Sequence, residues 1–410
     1  MTQVLAGQKS MPFVIGAFSS SRASEDLIRL CSAEFEGRRV GTAGHDQAQV
    51  WLLEQMRGMG LTTEVCTVPG ATVRDLYVTP TLSRLTEDGR VIQSYKHRAE
   101  FSEHLRSADQ PEPIQGLAQR EISANLEGSW VILDAYPRGE EFTQLAEKLR
   151  NRGAIGILIP QRATSEGYLP KQLMSQVLLA LPVILVRAEQ LPEFEGSQIR
   201  ASVPLRTSTV EAGNVIAKLQ GTDPSLETAP LIIGAHFDAV GDDPDGYRIQ
   251  GAGDNAAGVA VVLEVARVIA NLSEQPRKPI VFAAFDAEEV GAVGSRVFAN
   301  SLKKQGQTPF VINLDGAARF HEPVWVEPSP GSEPLLQALD QAGRWLEIPL
   351  AAGNVASDNR QYARVGFPSV GLALGSFGMH TPADTMEHVD PEAMSMAGRL
   401  LLAVICQIAF

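Results

Sequence analysis

Cysteine is scarce in this 410-residue sequence, which holds three. Cys31, Cys66 and Cys406 lie too far apart for a disulfide framework, a thiolate metal site or a redox pair, and they read as small buried hydrophobes. Positive charge is also short. The 35 Lys and Arg stand against 48 Asp and Glu, a net charge of −13, so no broad basic surface is available to neutralise phosphates and a nucleic-acid partner is excluded. Long apolar runs are missing as well. "VLLALPVILV" is broken by Pro182, and "LLLAVICQIAF" is short. Both fall below the ~20 residues of a membrane-crossing helix, so no membrane partner is expected. "MPFVIGAF" after Lys9 bears only a faint likeness to a signal peptide, with too short an apolar core. A soluble globular chain of two or three domains is expected, with compartment and oligomeric state left open.

The rest of the sequence divides by texture. Residues 24–60 carry two helical patterns around a Gly/Arg-rich loop, the second with an apolar stripe ended by Gly58 and Gly60. From about 68 to 205, short β-like runs such as "WVILDAY", "AIGILIPQ" and "LPVILVRA" alternate with Pro- and Gly-bearing loops and one helix, "GEEFTQLAEKLRNRG". This stretch predicts a small α+β module. After it comes α/β alternation. "PLIIGAHF" (230–237), "PIVFAAF" (279–285), "FVINL" (310–314) and "SVGLAL" (369–374) are continuous apolar strands, as in a parallel sheet covered on both faces. Between and after them lie helices, "NAAGVAVVLEVARVIANL" (255–272), "EVGAVGSRVFANSL" and the closing "PEAMSMAGRLLLAVICQIAF". The expected fold is α/β, a mixed and mostly parallel central sheet flanked by helices.

Chemistry-bearing side chains gather at the ends of those strands, where loops converge and ligands bind in open α/β sheets. His236 and Asp238 end the first strand, Glu288 and Glu289 follow the second, Asp315 the third, and His380 lies past the fourth. Asp254 precedes the buried helix. Each has an ordinary reading of its own. Asp254 would serve as a helix N-cap, the two glutamates as a solvated first turn favoured by the helix dipole, and a histidine as a satisfied core residue. Together they recur too regularly for that. Two imidazoles with three or four carboxylates and no thiolate suit zinc first, then cobalt or manganese. Five protein ligands exceed one open tetrahedral zinc and fit two ions with a bridging carboxylate and water. Asp238 is spaced to accept the second ring N–H of His236. Adjacent glutamates point in different directions, so one can ligate while its neighbour takes a proton from water.

The motifs "GAHFDAVG", "GAGDNAAGVAVVLEVAR", "FDAEEVGAVGS", "VINLDG" and "HTPADT", with "AEFEGRRVGTAG" near the N-terminus, resemble the di-zinc exopeptidases of the aminopeptidase S and aminopeptidase Y type. That family's fold also houses glutamate carboxypeptidase, glutaminyl cyclase and the transferrin receptor. The resemblance implies one metal held by His236 and Asp315, another by Glu289 and His380, and Asp254 bridging both. It makes Glu288 the general base, Asp238 the partner of the His236 ring, and the Asp254–Asn255 peptide cis. The middle stretch resembles the protease-associated domain often inserted in this family. The implied domains are an N-terminal extension at 1–23, a catalytic domain from 24–68 and 206–410, and the insert at 69–205. In "ASDNRQYARVGFPSVG", Asn359 and Tyr362 replace the family's usual His and Phe while Ser357 and Asp358 remain, which leaves specificity open. Gly253 stands where an Asp is frequent.

The expected activity is therefore removal of the N-terminal residue from peptides with a free amine, by a water bridging the metals and the Glu288 base. A dipeptidase or carboxypeptidase on the same fold is the alternative, with Arg319 or Arg360 gripping a substrate carboxylate. A non-catalytic binding protein is the other, although no expected ligand is missing.

Overall fold

A computed structural model describes residues 6–120, 125–135, 137–171 and 177–410, the first five by backbone alone. Residues 1–5 of the expected N-terminal extension lie outside it.

The main sheet has eight strands. At its centre four run parallel, in the order Ile280–Phe285, Leu231–His236, Phe310–Leu314, Ser369–Ala373. Val324–Pro328 joins Ser369–Ala373 antiparallel, and Leu350–Ala352 closes that edge. On the other side Leu205–Leu219 runs antiparallel to Ile280–Phe285, and Thr62–Leu76 forms the outer edge. The parallel centre follows from the sequence. Every residue of Leu231–His236 and Ile280–Phe285 is buried, and alternate side chains enter two different cores. Ile233, Ala235, Phe282 and Ala284 face the helix Ala257–Ala270 and the closing helix Pro391–Ile408. Ile232, Val281, Ala283 and Phe285 face the helix Val293–Lys304 with Tyr362 and Phe367. A strand covered on both faces must be apolar throughout.

Pro391–Ile408 is long and apolar enough by length and composition to cross a membrane, yet most of it is buried inside the fold. The N-terminal helices Ala6–Gly16 and Ser20–Leu30 contribute Val14, Ile15, Leu27 and Leu30 to the same core.

Among the described residues the second sheet also has eight strands, running from Val91–Ser94 at one edge to Phe101–Glu103 at the other. Its middle is parallel, through Gln110–Arg120, Ser129–Ile132, Gly156–Gln161 and Val183–Arg187. The helix Gly139–Asn151 covers one face with Phe142, Ala146 and Leu149. On the other face Trp130, Phe194 and Phe101 pack together. The two sheets are joined by one long ladder, since Thr62–Leu76 pairs with Leu205–Leu219 from Thr62–Lys218 to Leu76–Leu205. It runs on past residue 68, where the sequence suggests a domain boundary. Gly70, at φ 71°, lies in a bulge between Val68 and Ala71 and does not end the strand.

Gly398 of the closing helix packs directly on the Phe18 ring, which a Cβ would approach to 2.0 Å. Gly398→Ala should therefore cost about 1–3 kcal/mol by overpacking. Urea unfolding measures this, and truncating Phe18 to Leu in the same variant should recover part of the loss. An unchanged midpoint for Gly398→Ala would mean that the N-terminal segment does not dock here.

Candidate metal centre

The turn after Ile280–Phe285 is built to present two glutamates. Asp286 is buried, and its carboxylate accepts N–H bonds from Gly213 and Ala287, each at 2.7 Å, and a bond from His45 Nε2 at 2.8 Å. Ala287 is left-handed at φ 57°, a conformation that costs a non-glycine residue about 1–2 kcal/mol. The backbone N–H groups of Glu288 and Glu289 then donate to the two oxygens of Asp238, at 2.9 and 3.1 Å. The helix begins only at Val293, so the glutamates precede it and are not its first turn.

Asp254 is likewise no helix cap. Asp254 and Asn255 are non-helical, their peptide is cis, and the helix Ala257–Ala270 starts beyond them without a side-chain cap. Asp384 accepts the backbone N–H of Gly253 at 2.6 Å and of Asp254 at 3.2 Å. The Asn255 amide donates to Leu314 O and accepts from Gly316 N–H, which brackets Asp315. Gly258 is required beneath it, because a Cβ there would meet the Asn255 amide at 2.2 Å. Arg38, fully buried, donates to the carbonyls of Phe237, Leu30, Gln250 and Gly251, tying the first strand's exit to the Asp254 loop.

These supports bring the five expected ligands together. His236 Nε2 lies 3.2 Å from Asp254 Oδ1 and 3.6 Å from Asp315 Oδ2. His380 Nε2 lies 2.9 Å from Asp254 Oδ2 and 3.2 Å from Glu289 Oε2. Two trios result, His236–Asp254–Asp315 and Asp254–Glu289–His380, each with ligating atoms within 4.8 Å of one another. Asp254 belongs to both and gives one oxygen to each.

The chemistry of these donors fits a cation. His236 Nδ1 faces the Asp238 main-chain carbonyl at 3.1 Å, and a carbonyl can only accept, so Nδ1 carries the proton. In the neutral ring Nε2 then turns a lone pair toward two carboxylates. Both His236 Nε2 and Glu289 Oε1 are buried without a hydrogen-bond partner among the described residues. Either a proton or a metal ion must stand between such groups. Burial opposes a charge on His236, but Asp315 and Asp254 outweigh it and raise its pKa. Burial likewise opposes a charge on His380, and Glu289 and Asp254 outweigh it. Burial would raise the Asp254 carboxyl, but its two imidazole contacts hold it well below the usual range. Burial pushes Asp238 and Asp384 up to about 7. Burial also pushes Glu288 well up, opposed by His236 and assisted by the charges of Asp358, Glu289 and Asp315.

One expected contact differs. The Asp238 carboxylate stands 3.8 Å from His236 Nδ1 and serves the glutamate turn, while its backbone carbonyl takes the ring N–H. Arg360 is committed to Glu327 at 2.8 Å, and Arg319 lies over the Phe377 ring with its Nε on His388 O. Asn359 and Tyr362 are buried, Asn359 against Gly371 and Tyr362 against Phe285. Arg38, His45, Asn255 and Asp384 escape a reading for metal ligands, although all four lie inside or beside the quoted motifs.

Residues 214–405 match Peptidase family M28. The match spans a little under half of the chain. Aminopeptidase YwaD of Bacillus subtilis is 24% identical over 312 residues, 70% of this chain and 64% of that protein. Aminopeptidase NAALADL1 of Rattus norvegicus is 29% identical over 193 residues, 45% of this chain and 24% of that protein. The chain thus spans less than two thirds of the length of these curated relatives. The structure of BSAP, a zinc aminopeptidase from Bacillus subtilis, superposes with a TM-score of 0.72 at 21% identity, covering 96% of this chain and 95% of that one. At that identity the likeness establishes the fold.

Asp384 holds the Asp254 loop by accepting the backbone N–H groups of Gly253 and Asp254, which makes it a test of how that loop is held. Asp384→Asn replaces one acceptor oxygen with a donor and should lower zinc affinity about 10–100-fold in a chelator competition. Unaltered affinity would show that the Gly253–Asp254 backbone holds its place without Asp384.

Proposed function

We propose that this chain is a metal-dependent aminopeptidase that holds two divalent cations. The observation that carries the reading is Asp254, whose two carboxylate oxygens each face a different imidazole. His236 and Asp315 would hold one ion, Glu289 and His380 the other, with Asp254 shared. Zinc suits mixed imidazole and carboxylate donors first, with cobalt or manganese next, and the similar Bacillus subtilis structure is described as a zinc aminopeptidase. Cations bound there supply Lewis acidity, lowering the pKa of water within reach and drawing electron density from a peptide carbonyl.

The protein's own contribution is positioning and proton transfer. Glu289 meets His380, whereas no ion pair ties Glu288 among the described residues. Glu288 takes the proton of the attacking water and returns it to the amine of the cleaved bond. The Asp238 carboxylate keeps both glutamates in register by holding their backbone N–H groups. With Arg360 paired to Glu327, it offers no free grip for a carboxypeptidase substrate. The expected substrates are peptides with a free N-terminus.

Two measurements test this. Glu288→Gln should lose about 10²–10⁴-fold in kcat while retaining its metal, and full activity in that variant would rule out Glu288 as the base. A series of aminoacyl-p-nitroanilides should be cleaved only with metal present, and blocking the amine should abolish turnover. Equal cleavage of blocked peptides would contradict aminopeptidase action.

A further inference from the structure

Lys171 belongs to the inserted region and is almost fully buried, at 1% exposure. Lysine is rarely so buried without a partner, and the proposed chemistry does not use it. Its ammonium lies 3.0 Å from Asp75 Oδ1, 3.5 Å from Asp243 Oδ1 and 3.4 Å from the Gly241 carbonyl. Gly241 and Asp243 are in the loop that follows the strand ending at His236. The backbone N–H of Lys171 donates to the carbonyl of His380 at 2.9 Å. One residue therefore touches the chain beside His236 and the main chain of His380 itself.

The other end of this contact is anchored in the insert. Leu169 N–H donates to Arg98 O at 2.7 Å. The Arg98 guanidinium, fully buried, reaches Asp243 at 2.6 and 2.9 Å, Glu103 at 2.7 Å and Ser102 Oγ at 2.7 Å. Asp243 is thus neutralised from the insert by two cations at once. His380 needs such support, since it is left-handed at φ 59°, where a residue with a Cβ is strained. The loop gives some of it, through Thr381 N–H to Gly378 O at 2.9 Å.

We infer that the inserted domain is a working part of the metal centre, with Lys171 the positioning residue that sets His380. This rests on the two-cation reading above and adds the insert to it. The side chain of Lys171 grips the loop after His236 and its main chain grips His380, so both halves of the centre depend on it.

Lys171→Met keeps the volume of the side chain and removes its charge. Asp243 keeps Arg98, and Asp75 is partly exposed and keeps Arg39 at 3.4 Å, so no carboxylate is left buried and unpaired. In a zinc titration against a chromophoric chelator, the wild-type chain should take two ions. Lys171→Met should bind both about 10–100-fold more weakly, the scale of outer-shell changes. In metal-free protein the Thr381 amide should exchange hydrogen faster in the variant. If Lys171→Met does not fold, Asp75→Asn removes the nearest carboxylate partner and should shift both readouts in the same direction. Two ions bound with wild-type affinities and unchanged exchange would overturn the inference. Failure of the wild-type chain to bind zinc would defeat the two-cation reading instead, and the exchange comparison would still judge Lys171.

Discussion

Everything near the candidate centre answers to one electrostatic constraint. Two imidazoles and three carboxylates converge in a largely buried place, and Asp254 is shared between both rings. At ~4 Å and an effective dielectric of about 20, each pair of like charges costs roughly 4 kcal/mol. Positive charge must enter that space. In the protein alone it comes from protons on the rings, and divalent ions in their place would satisfy every donor at once. A fold that gathers such groups must also keep them from moving apart. That is the work of Arg38, Asn255, Asp238 and Asp384, whose polar atoms end on main-chain groups of the ligand-bearing loops.

The parallel sheet explains why those loops meet. Strands buried on both faces cannot carry polar side chains along their length, so polar residues collect where the chain leaves the sheet. Parallel neighbours place several such exits at the same edge. His236, the Glu288–Glu289 turn and Asp315 leave three adjacent strands there. Arg98 and Lys171 both reach Asp243 in the loop after His236, and the backbone N–H of Lys171 joins that loop to the carbonyl of His380.

Much of this was legible in the sequence because the signals were of one kind. Continuous apolar runs marked the strands, and the polar residues at their exits marked His236, Glu288, Glu289 and Asp315, with Asp254 read from the start of a helix and His380 from a loop. What stayed hidden depends on backbone partners, which a sequence does not display. Arg38 satisfies main-chain carbonyls up to 213 residues away, and no pattern of side chains records that. The Asp238 carboxylate was placed against His236 by spacing alone, yet the ring reaches its carbonyl and frees the carboxylate for the glutamate turn. The sequence suggests a domain boundary near residue 68, and a bulge between Val68 and Ala71 lets the ladder run on to Leu76. Asn359 and Tyr362 raise a question of specificity in the sequence, and both are buried, Asn359 against Gly371 and Tyr362 against Phe285.

The central claim is that Asp254 stands between two cations. Anomalous diffraction from crystals grown with zinc tests it most directly. The account predicts two peaks, one beside His236 and Asp315 and the other beside His380 and Glu289, both touching Asp254. A single peak, or zinc bound away from Asp254, would contradict it.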